Sequence, residues 1–160
     1  MEYDKAVSKG FMRLFHYISG GNVDKAKVPM TAPVRVRVMP GAGPFCESNF
    51  TISFFVPFVP GQPGVQIDPP APTDPEVFTE TDPSAFTAYV RSFSGYANEA
   101  TLISNAATLV SALEADGKGS AKDRDHFFFA GYDAPFSPLH RHNEVWYTHA
   151  EGEVVAPAAA

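Results

Sequence analysis

Two segments with helical apolar spacing, residues 3–19 and 98–116, are each followed by two segments that alternate apolar and polar side chains. This repeated order restricts the fold more than any other feature of the chain. Projected at about 100° per residue, Tyr3, Val7, Gly10, Phe11, Leu14, Tyr17 and Ile18 fall on one side of the first helix, with Lys5, Lys9, Met12 and His16 opposite. Gly20, Gly21 and Asn22 end it. In the second helix Leu102, Ala106, Leu109, Val110 and Leu113 recur at the same spacing, and Gly117 stops it. Alternation predicts strands over residues 32–39, 49–56, 126–132 and 143–149; in the first of these Val34, Val36 and Val38 oppose Arg35 and Arg37. A further strand over residues 85–93 leads the second helix, and nothing equivalent leads the first. The two halves therefore read as one strand-helix-strand-strand unit used twice, with the first copy lacking its leading strand. That predicts a sheet with an unfilled strand position.

Between the halves, residues 61–75 hold five prolines and two glycines, too many breakers for a helix or central strand. They read as an ordered, polyproline-like connection, followed by a short strand over residues 76–81. Residues 151–160 read as a disordered tail, so the expected single domain covers residues 1–150. The net charge of −6 has the wrong sign for gripping a phosphate backbone, so no nucleic-acid partner is expected. Cys46 is alone, which excludes an intrachain disulfide and fits a reducing, cytoplasmic setting. No basic segment precedes an apolar one, and the apolar runs are short, so neither a signal peptide nor a membrane span is expected.

Several strings then occur in a telling order. Residues 10–20, Gly-Phe-Met-Arg-Leu-Phe-His-Tyr-Ile-Ser-Gly, run towards Lys27-Val28-Pro29-Met30-Thr31-Ala32-Pro33-Val34. Next come Pro40-Gly41-Ala42-Gly43-Pro44-Phe45, Asp68-Pro69-Pro70-Ala71-Pro72 and Tyr89-Val90-Arg91-Ser92-Phe93-Ser94-Gly95-Tyr96. Ala130-Gly131-Tyr132-Asp133 and Asn143-Glu144-Val145-Trp146 close the series. Together they resemble the SOUL/haem-binding-protein family over nearly the whole chain.

The resemblance implies an α+β fold: a distorted β-barrel of two βαββ units with two helices, the first unit here without its leading strand. It also implies reversible binding of haem or a related porphyrin, for buffering or delivery, through an apolar cleft beside the first helix. Phe11, Leu14, Phe15 and Ile18 would form that surface, joined by Phe136, with Arg13, Lys9 or Lys27 meeting the propionates. Leu14 and Ile18 equally suit the helix's core stripe, whereas Phe15 sits at the stripe's edge. In one branch of the family the proposed iron ligand is a histidine on the leading strand, which has no counterpart here. His140 and His142, in the loop over residues 135–142, and His16 are the substitute axial candidates. His126 and His149 lie in strand patterns and read as structural, and Met30 as a packing residue.

Two other readings have residues of their own. Glu144 and Asp133 lie near Tyr132 and Trp146, and a desolvated Glu144 with a raised pKa would be a base for small-molecule chemistry or a holder of amphiphiles. The plainer expectation is that Glu144 bonds backbone inside the barrel. No catalytic triad, phosphate loop or HExxH string occurs, so no enzyme is expected. Leu109, Leu113 and Asp116 partly follow the spacing of groove-binding helices, which suggests a partner-binding regulator, although a buried helix face explains the leucines more simply. The unfilled sheet position also suggests a homodimer through an unpaired strand edge.

Overall fold

The computed structural model describes residues 3–39, 49–56, 68–80, 86–120, 125–133 and 141–149. Helix α1 (Tyr3–Ile18) is followed by strands β1 (Val34–Met39), β2 (Asn49–Phe54) and β3 (Ala88–Phe93). Helix α2 (Glu99–Ala115) then leads to β4 (Phe127–Gly131) and β5 (Asn143–Thr148). The strands form one antiparallel sheet in the order β2-β1-β4-β5-β3. α1 lies against β2, and α2 against β3 and β5.

The helix ends follow from local chemistry. α1 closes with the Gly21 amide donating to the His16 carbonyl at 2.9 Å, and Gly20 takes the left-handed conformation, φ 109°, that such a turn requires. α2 opens with a reciprocal box: the Asn98 side chain accepts from the Thr101 amide at 2.9 Å, and the Thr101 hydroxyl accepts from the Asn98 amide at 2.9 Å. Gly117, φ 72°, ends α2 as its position in the sequence requires.

Alternation places Val36, Val38, Phe127, Phe129 and Val145 on the helix-bearing face, where they pack with Leu102, Ala106, Leu109 and Leu113 of α2 and with Tyr3. Each such buried leucine stabilises the fold by roughly 2 kcal/mol. Burial of Leu109 and Leu113, at 7% and 5% exposure, assigns them to this core rather than to a free binding face. A second cluster joins Tyr17, Ile18, Val28 and Val77, with Leu14, Phe54 and Val56 against it.

Several boundaries differ from expectation. The sheet is open among the described residues, with β2 and β3 at its edges, instead of closing into a barrel. β1 starts at Val34 rather than residue 32, because Pro33 has no N–H to give the ladder. β2 stops at Phe54, the residue opposite Val34, and the Thr31 hydroxyl donates to the Phe55 carbonyl at 2.6 Å beyond it. Part of the Met30-Thr31-Ala32-Pro33-Val34 string thus serves to end a strand pair. Residues 76–80 form no strand, and residue 81 lies outside the described part. Asp74 prevents the strand: its carboxylate accepts from the Glu76 amide and its carbonyl from the Val77 amide, both at 3.0 Å, making a turn that drops Val77 into the second cluster. β3 begins at Ala88, later than expected, while β4 and β5 fall within the expected segments. The expected tail lies outside the described residues.

Candidate functional site

α1 has two flanks of different character. On one, the segment over residues 68–77 straps the helix down: the Tyr17 hydroxyl donates to the Pro70 carbonyl at 2.7 Å, and Arg13 pairs with Asp74 at 3.6 Å and with Glu76. At the helix end the Val23 amide donates to Ala71 at 2.9 Å, the Thr73 hydroxyl donates to Gly21 at 2.9 Å, and Asn22 bridges Pro72. Arg13 is therefore committed to two carboxylates of its own chain.

The other flank carries aromatics. Phe11 and Phe15, one turn apart, stack with centroids 6.1 Å apart and planes 10° from parallel, and Phe11 meets Phe54 edge-on at 5.3 Å. Phe15 is 45% exposed, as its place at the edge of the stripe implies, and Phe11 is half-buried. Leu14 and Ile18 turn inward to the second cluster. The four helix residues read from the sequence thus divide into an aromatic pair at the surface and an aliphatic pair in the core. Met30, expected to pack, is 47% exposed. Phe136 and His140 lie outside the described residues.

The histidines are placed individually. His16 is exposed, and its ring lies so close over Gly21 that a Cβ there would come within 2.3 Å of it. A side chain at position 21 would displace the ring. His126 meets Phe128 edge-on at 5.0 Å and His149 tilts over Tyr89 at 5.9 Å. His142 has its Nε2 2.7 Å from Glu144 Oε1, its ring edge-on to Tyr132 at 4.8 Å, and its amide donating to Asp133 at 2.6 Å. Among the described residues no group of three His, Cys, Asp or Glu side chains is arranged to hold a metal ion.

Sequence reading missed how Glu144 is partnered. Its bonds run to side chains rather than backbone: the Tyr132 hydroxyl and the Trp146 Nε1–H donate to Oε2 at 2.9 and 2.7 Å, and His142 holds Oε1. Burial pushes the Glu144 pKa up, but the three hydrogen bonds and the His142 charge outweigh it, so the carboxyl stays below its ordinary value. An ionised carboxylate only accepts, so the His142 Nε2–H must donate to Oε1. Glu144 is thus a firmly ionised anchor, not the raised-pKa base that the sequence suggested. The alternation of Glu144 and Trp146 on one strand face was the available signal. Burial, followed by the hydrogen bond and charge of Glu144, pushes the Tyr132 phenol up to about 12.

Because the Glu144 pKa is lower folded than unfolded, its stabilisation is full above the unfolded value and lost as pH falls through the folded one. Thermal midpoints measured downward from about pH 4.5, the ordinary value, are expected to fall less steeply for Glu144→Gln than for the parent. Parallel acid limbs for the two proteins would contradict this.

A hollow lined by described residues lies at the other end of α1, among Tyr3, Val38, Phe50, Glu99, Leu102, Ile103 and Phe127. Its volume of about 130 Å³ is well under the roughly 300–1,000 Å³ of pockets that enclose larger ligands. A tetrapyrrole does not fit there. No helix among the described residues is long and apolar enough to cross a membrane.

The antiparallel sheet and its two helices make this an α+β protein. The model of the SOUL heme-binding protein family matches residues 1–148, and the chain belongs to that family. It is 42% identical to human (Homo sapiens) heme-binding protein 2 over 146 residues, 91% of this chain and 67% of that protein. It is 39% identical to the mouse (Mus musculus) heme-binding protein 2 over 146 residues, with the same coverage. To heme-binding protein 1 of Xenopus tropicalis it is 35% identical over 145 residues, 91% of this chain and 72% of that protein. The family is one of binding proteins rather than catalysts.

Proposed function

We propose that this chain reversibly binds haem or a related porphyrin, for buffering or delivery, on the flank of α1 that presents Phe11 and Phe15. The observation that carries the reading is the pair of near-parallel rings, 10° apart in plane, with Phe15 45% exposed. Stacked rings suit a large flat apolar ligand. Membership of a heme-binding family and the names of the relatives support the ligand class. With Arg13 tied to Asp74 and Glu76, the exposed Lys9 and Lys27 are the better partners for propionates. His16, His140 and His142 are the axial candidates, and His142 would approach iron with its Nε2 already held by Glu144. A cytoplasmic setting, which a single cysteine fits, belongs to the same reading.

A haemin titration followed at the Soret band is expected to saturate near one haemin per chain. Failure to saturate would overturn the reading and favour an amphiphile ligand for the same flank. Ferric spectra of His16→Ala, His140→Ala and His142→Ala then assign coordination, an unchanged spectrum excluding the residue replaced.

The fold also supports a doubled unit and a dimer. The pairs β2-β1 and β4-β5 meet where β1 pairs β4, so the position outside β2 is the counterpart of the one β3 fills beside β5. β2 has only β1 as neighbour among the described residues, and its sequence, NFTISF, carries no charge to repel a pairing strand. A second copy pairing there would raise the light-scattering mass at high concentration to that of a dimer. A monomer mass would count against it.

A further inference from the structure

We propose that the hollow between the first turns of α1 and α2 is a second binding site, for a small organic cation bearing one apolar ring, of benzylammonium size. Its floor is made by neighbours across three strands, Phe50 opposite Val38 and Val38 opposite Phe127. Tyr3, edge-on to Phe50 at 5.3 Å, and Leu102 form its walls. Leu102 and Phe127, at 2% and 8% exposure, belong to its buried, apolar end, whereas Ile103, at 58%, stands at the mouth. The size sets the ligand: about 130 Å³ is close to the roughly 150 Å³ of an engineered apolar cavity that takes up benzene.

The charge sets its sign. Glu99 is the one charged side chain in the lining, and it is exposed at the rim. The Tyr3 phenol is held above its ordinary range, mainly by burial and further by the charges of Asp4 and Glu99. An apolar ring would enter the apolar end and leave its ammonium beside Glu99. This site is separate from the Phe11 and Phe15 flank and stands or falls without it.

The test is a ¹H–¹⁵N titration of the full chain with three compounds of like shape: benzylammonium, benzyl alcohol and benzoate. Saturable shifts are expected at the amides of Val38, Leu102, Ile103 and Phe127. Benzylammonium should bind about two- to five-fold tighter than the alcohol, the range of a solvent-exposed ion pair, with benzoate weakest. Glu99→Gln should bring benzylammonium down to the alcohol's affinity, and Ile103→Trp, which closes the mouth, should weaken all three. The proposal is overturned by the absence of saturable shifts at those amides, by equal binding of the three compounds, or by an unchanged amine preference in Glu99→Gln. Preference for benzoate, the sign that a helix N-terminus alone would favour, overturns it as well. If a variant does not fold, the parent titration still decides through the location and order of the shifts.

Discussion

Phe15→Asp is expected to weaken haemin binding at least about ten-fold while the protein stays folded. The ring is 45% exposed and stacks on Phe11, so its free face is surface a flat ligand can cover. Losing that contact removes about 1.5 kcal/mol of apolar burial, and each 1.4 kcal/mol is a factor of ten in affinity. The carboxylate left in its place would have to be desolvated beneath the macrocycle, which weakens binding further. Phe11→Asp should act in the same direction, but Phe11 also meets Phe54 at 5.3 Å, so that variant confounds binding with stability. Soret titration of Phe15→Asp, with a circular dichroism melt as control, decides the matter. Parent-like affinity in a folded variant would remove the flank from the binding account.

Asn22→Ala is expected to destabilise the protein by about 3 kcal/mol, near 1 kcal/mol for each hydrogen bond removed. Asn22 is 3% exposed, and its Nδ2 donates to the Tyr17 and Ala26 carbonyls at 2.9 and 2.7 Å. Its Oδ1 accepts from the Ala26 amide at 3.0 Å. One side chain thus closes the turn after α1 and satisfies groups that alanine would leave without these partners, beside the bridge to Pro72. Urea unfolding with the slope unchanged is the measurement. A loss under about 0.5 kcal/mol, the range of ordinary surface changes, would show that water replaces these bonds at little cost. Because the same turn holds the end of α1, weaker haemin binding should accompany the loss of stability.

Asn22 also shows where sequence reading stops. Its type and place predicted a helix end, which is correct, but its burial depends on residues 70–73 crossing the turn from far along the chain. Arg13 is similar: its position on α1 was evident, whereas its pairing with Asp74 and Glu76 was not. Glu144 was legible as a site with Tyr132 and Trp146 close in sequence, yet the direction of its pKa depended on three donors converging on one carboxylate. The hollow beside Tyr3 had no sequence signal, since its lining comes from five separate elements.

Periodicity and end signals act over a few residues, and so the chain by itself determined both helices and the five strands of the described residues, and the place of Phe15 at the edge of the helix stripe, whereas the packing decided that Leu14 and Ile18 turn inward. The tertiary structure alone decided the open sheet among the described residues, the absence of a strand over residues 76–80, and the pairing of Arg13. The reason is one of range: apolar spacing is written into neighbouring residues, whereas hydrogen bonds and ion pairs depend on which distant segments the packed core brings within about 3 Å of each other.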